Sequence, residues 1–298
     1  MKSVVLLIVL ALTQSVPITQ EYLDKLKTES SFEVYATPEE HPFKDTEDVT
    51  PYLGLDILTL QDTSKMELGV SNTELPEEFD SRVNWPTCIH PIRNQLHCGS
   101  CWAHGASEVL SDRLCIASEG KVDVILSPQD LVSCDFLDKG CNGGSLLFSW
   151  IYLKFYGVVT DECKPYTSGN GTVAACDYYN DKCTVEGVEY KKYKASSFYM
   201  IRSINELKED ILNHGPIETG FYVYDDFMNY KSGVYKRTKG AVLKGGHAVK
   251  IIGWGKEDDT EYWIVANSWG PEWGENGFFR IAFGECGIEN VMSGLPQL

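Results

Sequence analysis

Ten cysteines lie between Cys88 and Cys286, and none precedes residue 88. That distribution divides the chain into a part that disulfides can staple and a part that they cannot. Disulfides persist in oxidising compartments, and the first residues agree with such a destination. Met1-Lys2-Ser3 is followed by Val4 to Leu12 without a charge and then by Thr13-Gln14-Ser15, the outline of a secretory signal peptide over residues 1–15. The apolar run is about half of the roughly 20 residues that a membrane span needs, so no span is expected. A soluble product of the secretory pathway is expected. Lys and Arg total 26 against 43 Asp and Glu, a net charge of −17, which argues against nucleic acid and anionic membranes as partners.

Residues 16–73 are rich in acidic side chains, and polar residues separate their short apolar groups, Tyr52-Leu53-Gly54-Leu55 and Ile57-Leu58. Such a piece is too small and polar to build its own core and docks on a partner surface, here the rest of the chain. Residues 16–73 therefore read as a prosegment, and 74–298 as the mature domain. In the latter, helix signals come first. Ser127-Pro128-Gln129-Asp130 has an N-cap serine, proline at the first helical position and an acid in the first turn. Residues 101–118 place Ala103, Ala106, Leu110, Leu114 and Ala117 on one helical stripe, which stops at Gly120. Ser145 to Tyr156 is apolar almost all round and predicts a buried helix. Ser203-Ile204-Asn205-Glu206 is a capping box whose helix should end at Asn213-His214-Gly215-Pro216. Short β-branched and aromatic runs follow at 218–224, 233–236, 248–254, 262–266 and 278–283. Helices followed by an antiparallel sheet or barrel predict an α+β fold with two lobes.

Gln95-Leu96-His97-Cys98-Gly99-Ser100-Cys101-Trp102 sits where a loop should run into the first long helix. Cys101 would occupy the first turn, where unpaired N–H groups and the positive end of the dipole favour a thiolate, the nucleophilic form. Such a nucleophile needs a proton acceptor, most often histidine. Of six histidines, His41, His90 and His97 lie in polar surroundings and read as solvated. His104 should join the packed helix face, and His214 belongs to a helix end. His247 stands apart. Gly245-Gly246 precede it and an apolar run follows, which puts it at the mouth of a strand. Asn267, in Asn267-Ser268-Trp269-Gly270, ends the next strand, and antiparallel pairing could bring its amide to the imidazole.

These residues resemble the papain family of cysteine proteases, whose Cys-Gly-Ser-Cys-Trp signature is combined with a distant His and Asn. The likeness covers roughly Leu75 to Pro296. Within the family it is nearest the cathepsin B branch, on Leu75-Pro76-Glu77-Glu78-Phe79-Asp80-Ser81-Arg82, Cys101-Trp102-Ala103-His104-Gly105-Ala106, Tyr230-Lys231-Ser232-Gly233-Val234-Tyr235 and Cys286-Gly287-Ile288-Glu289. It implies a helical left lobe, a β-barrel right lobe, and an active site in the cleft between them. Cys101 would attack the peptide carbonyl, His247 would form the ion pair and protonate the leaving amine, and Asn267 would orient the ring. Gln95 would help to hold the oxyanion and Trp269 would shield the His–Asn bond. Cys141-Asn142-Gly143-Gly144 resembles the substrate wall, and Gly99, Gly143, Gly144, Gly246, Val291 and Trp269 are the expected substrate-binding residues. The prosegment would lie along the cleft in the reverse direction to substrate. Protein and peptide substrates, cystatin-like inhibitors and a monomeric state are implied, with no metal or organic cofactor.

The chain also departs from the cathepsin B pattern. Cys163 to Cys183 contains no histidine, so the two donors that an occluding loop offers to a substrate's terminal carboxylate are missing. An endopeptidase with an open primed side is expected. The position of an acidic residue in the second specificity pocket falls on Val291, which predicts an apolar P2 preference, although Glu289 lies only two residues away. The family pattern implies disulfides Cys88 with Cys115, Cys98 with Cys141, Cys134 with Cys176 and Cys163 with Cys183, leaving Cys101 and a buried thiol at Cys286. Asn170-Gly171-Thr172 is a glycosylation sequon. Partial protonation of the many carboxylates in an acidic compartment could loosen the prosegment. A catalytically silent peptide-binding relative and a peptide ligase or acyl transferase on the same fold are the alternative readings.

Overall fold

The computed structural model describes residues 18–46, 48–61, 66–71, 73–176 and 182–298. The expected signal peptide lies outside them. Helix α1 spans Gln20–Glu29 and α2 Ser81–Asn84. The left lobe is built on α3, Cys101–Ala117, which is buried on every side from Cys101 to Cys115, well beyond the expected stripe. Glu119 and Gly120 then turn the chain with positive φ. Helices α4, Pro128–Cys134, and α5, Leu146–Phe155, pack around it. The Ser127 hydroxyl accepts the Asp130 N–H at 3.1 Å, the cap that the sequence promised. Helix α5 buries Trp150, Tyr152 and Leu153 but exposes Leu147, Phe148 and Phe155, so it is not enclosed all round as expected.

Helix α6, Ile204–His214, leads into the right lobe and ends at Gly215, whose φ of 91° suits glycine. The strands are β1 Glu33–Val34, β2 Phe79–Asp80, β3 Tyr199–Met200, β4 Ile217–Tyr224 and β5 Tyr230–Ser232. They continue with β6 Val234–Tyr235, β7 Leu243–Glu257, β8 Thr260–Ala266, β9 Phe278–Ala282 and β10 Asn290–Ser293. The main sheet runs β3-β10-β4-β7-β8-β9-β6, with β2 added to β7. Its pairings are antiparallel, as expected, except for the short parallel pair of β6 with β9. Trp254, Trp263, Trp273, Phe221, Phe227 and Phe279 fill the barrel. Among the described residues no helix is long and apolar enough to cross a membrane.

The amino-terminal segment makes no core of its own. Leu23 and Leu26 of α1, spaced by three, enter the barrel cluster, and β1 pairs with β5. Phe43 and Tyr52 then pack against Trp269, with ring centroids 5.6 and 6.3 Å away. Beyond them the chain threads the groove between the lobes. The Gly144 N–H donates to Gly54 O (2.8 Å) and the Asp56 N–H to Gly144 O (2.9 Å), a parallel pairing, while the Leu55 N–H donates to Gly246 O at 3.1 Å on the opposite wall. Each buried aliphatic or aromatic side chain of this kind contributes about 1.5–3 kcal/mol to docking.

Candidate active site

Cys101 opens α3 and is fully buried. The Cys98–Cys141 disulfide and the Gly99 N–H bond to Cys141 O hold the loop before it. Burial pushes its thiol up to about 12, against the backbone N–H groups of Ala248, Gly54 and Trp102, which point at the sulfur. Gly54 belongs to the inserted segment, so this segment both dries the sulfur and stands over it.

His247 sits within β7, opposite Phe221 on β4, and not at the strand's mouth as expected. The strand begins earlier because Gly245 and Gly246 pair with Val223 and Tyr222 instead of forming a loop. The pairing of β7 with β8 brings Asn267 to the ring, with His247 Nε2 2.7 Å from Asn267 Oδ1. The Ser268 N–H also donates to that oxygen, so the amide is fixed. Trp269 stacks over the imidazole at 4.6 Å, in the shielding position expected of it. His247 Nδ1 has no hydrogen-bond partner among the described residues. Burial pushes His247 down to about 4, opposed by the Asn267 bond. Both shifts disfavour the charged forms, because the inserted segment excludes the water that would stabilise two charges.

Gln95 Nε2 donates to Cys98 O at 2.9 Å and to Pro51 O at 3.3 Å, so a carbonyl of the inserted segment already occupies the expected oxyanion donor. Its Oε1 accepts from the Ser268 hydroxyl at 2.7 Å, which fixes the amide's direction. The four candidate glycines all meet the same segment. Gly99 and Gly143 press on Gly54, and Gly144 and Gly246 pair with its neighbours.

Val291 corrects an expectation. It belongs to the barrel cluster and pairs with the buried Thr219 of β4, on the side of the strand away from Gly220. The strand's alternation turns its neighbours the other way. Asn290 exchanges two hydrogen bonds with the Gln61 backbone, at 2.6 and 2.8 Å, and Met292 shares a cluster with Leu55. Gly220 forms the floor, where a Cβ would meet Leu55 and Leu60. Glu289 is no pocket carboxylate, because Trp263 Nε1 and the Gly284 N–H hold it elsewhere.

The other histidines divide. His97 is exposed, as expected, and His104 is buried against Ser100. His214 ends α6. His41 and His90 are not solvated. His41 is 1% exposed beneath Tyr35 and Phe43, and His90 lies between Asp112 and Asp123. His90 meets partners 22 and 33 residues on, and His41 also faces Met228 and Asn229 of the barrel.

Disulfides join Cys88 to Cys115, Cys98 to Cys141, Cys134 to Cys176 and Cys163 to Cys183. Cys286 is free but only half-buried, which corrects the buried thiol. Asn170 is exposed at the end of a 3-10 turn.

Polar contacts that the sequence reading missed tie the catalytic helix to the catalytic strand. Lys250, three residues after His247, donates to Asp112 Oδ2 at 2.7 Å and lies 3.4 Å from Glu108 Oε2, both on α3. Nearby, Trp150 Nε1 donates to Glu218, whose side chain fits only against Gly105. A lysine inside the apolar run Ala248 to Trp254 was the visible signal.

The comparisons with known proteins agree with this geometry. The family described as papain family cysteine protease matches residues 75–295. Cathepsin B-like cysteine proteinase 6 of Caenorhabditis elegans is 45% identical over 257 residues, covering 76% of this chain and 68% of the relative. Cathepsin B-like cysteine proteinase 4 of the same organism is 41% identical over 269 residues, covering 80% of each. The solved structure of proCathepsin B S9 from Trypanosoma congolense superposes with a TM-score of 0.79 at 31% identity, covering 94% of this chain and 99% of that one. This chain belongs to the papain family of cysteine proteases, in its cathepsin B-like group.

Proposed function

We propose that residues 74–298 form a cysteine endopeptidase with Cys101 as nucleophile, His247 as acid and base, Asn267 as the ring's orienter and Gln95 as an oxyanion donor. Residues 16–73 act as its inhibitory prosegment after removal of a signal peptide at 1–15. The observation that carries this reading is the course of Gly54-Leu55-Asp56, which hydrogen-bonds both walls of the groove directly over Cys101. A peptide substrate would use the same backbone partners, Gly144 and Gly246.

Once the segment leaves, water returns to the cleft and the helix N-terminus favours the thiolate, with His247 taking its proton. The sulfur adds to the substrate carbonyl, the C–N bond breaks, and His247 protonates the departing amine. Water then hydrolyses the thioester. Gly220, Leu146 and Met292 present an apolar pocket to P2. The histidine-free stretch from Cys163 to Cys183 supports internal cleavage. The exposed Asn170 suits glycosylation in the secretory pathway, and a monomer held by cystatin-like inhibitors in a vacuole or outside the cell fits the same reading.

The test compares two internally quenched peptides with Leu at P2, one blocked and one free at the carboxy terminus. Comparable cleavage of both supports the endopeptidase; release of carboxy-terminal dipeptides from the free form alone rejects it.

A further inference from the structure

His90 lies outside the groove, yet it joins the contacts that set the catalytic helix against the catalytic strand. Its Nδ1 is 2.6 Å from Asp112 Oδ1 and its Nε2 is 3.0 Å from Asp123 Oδ1. The His90 backbone N–H also donates to Asp112 Oδ1, at 3.2 Å. The other oxygen of Asp112 accepts from Lys250 Nζ, which faces Glu108 as well. Asp112 is fully buried, and the His90 side chain is 9% exposed. Titratable groups therefore face this ring from three elements: Asp112 and, through Lys250, Glu108 on α3; Lys250 on β7; and Asp123 on the loop after α3.

A neutral imidazole has one N–H and can satisfy one carboxylate. With an acceptor at each nitrogen, only the imidazolium makes both bonds, and losing the proton sets a lone pair against a carboxylate oxygen. One of the two carboxylates must then turn away. If it is Asp112, its grip on Lys250, three residues from His247, turns with it.

We propose that His90 is a positioning residue for the cysteine protease reaction: as an imidazolium it fixes Asp112, and through Lys250 it holds the His247 strand in register with the Cys101 helix. Burial lowers the proton affinity of His90, but the bond and charge of Asp112 and the contact with Asp123 outweigh it, against Lys250, and the net shift is upward. For a raised histidine the contribution is fully present below the unperturbed value, about 6.5, and is lost as pH rises through the raised one.

The experiment measures kcat and KM across pH for the acid-processed parent, H90Q and D123N. The ratio of parent to H90Q kcat should be at least about tenfold at about pH 5.5, the loss of one charged hydrogen bond, and fall to unity through a single titration above about 6.5, with KM unchanged. D123N should move that titration to lower pH, because it removes one of the carboxylates that favour the proton. A ratio independent of pH overturns the proposal, since a purely structural role would lower kcat equally throughout. Should H90Q fail to fold, D123N decides: an unmoved kcat profile overturns the proposal.

Discussion

A Cβ on Gly54 would stand 2.1 Å from the carbonyl oxygen of Gly99, two residues before the nucleophile. The prosegment can pass over Cys101 only because this residue has no side chain. G54A should therefore undock the segment locally and abolish latency without touching the mature enzyme. Fluorogenic activity of the intact zymogen at neutral pH should rise at least about tenfold over the parent, since the clash costs more than about 1.4 kcal/mol. Unchanged latency would contradict the path described.

Asn267 holds His247 by one bond of 2.7 Å under the Trp269 ring. N267A should lower kcat by about 10²-fold with little change in KM, because a freely rotating imidazole is poorly placed for proton transfer. Steady-state kinetics on the processed enzyme check this, and an equal loss of binding would point to a collapsed site.

Burial pushes His41 down to about 4, opposed by the Met228 carbonyl and the Asn229 side chain. The docked segment thus prefers neutral His41, whereas the free segment protonates near 6.5. Docking strength is present above that value and is lost progressively as pH falls toward 4. At about pH 4.5 this residue alone should weaken docking by about 10²-fold relative to neutral pH. H41F should move the pH of zymogen processing downward. An unmoved processing profile would assign acid activation to the carboxylates instead.

The P2 pocket offers Gly220 as a floor and no free carboxylate at Glu289. A substrate library should show Leu, Val or Phe at P2, with Arg disfavoured by about 10²-fold or more because its charge loses water without a partner. G220V should lose the larger of these side chains first. An Arg preference in the parent would overturn the pocket assignment.

Legibility of the site followed the range of the interactions that build it. Cys101, His247 and Asn267 each sit in a local sequence pattern, and the β7–β8 pairing that joins the last two was visible as two adjacent apolar runs. His41 and His90 looked solvated because their neighbours in sequence are polar. What buries them is Tyr35 and Met228 in one case, and Asp112 and Asp123 in the other, brought in by tertiary packing. Val291 was placed by counting from Cys286, but strand alternation gives the groove to Asn290 and Met292. The parallel β6–β9 pair joins segments more than 40 residues apart, and no short-range pattern announces it.

In the proposed function Cys101 is a protease nucleophile held latent by the segment above it. Acidifying the purified zymogen and its C101A variant, with an internally quenched peptide carrying Leu at P2 and a blocked carboxy terminus, tests this most directly. The parent should cleave it after the prosegment is lost, and C101A should not. Silence in both with the prosegment demonstrably removed, or equal cleavage by both, would contradict it.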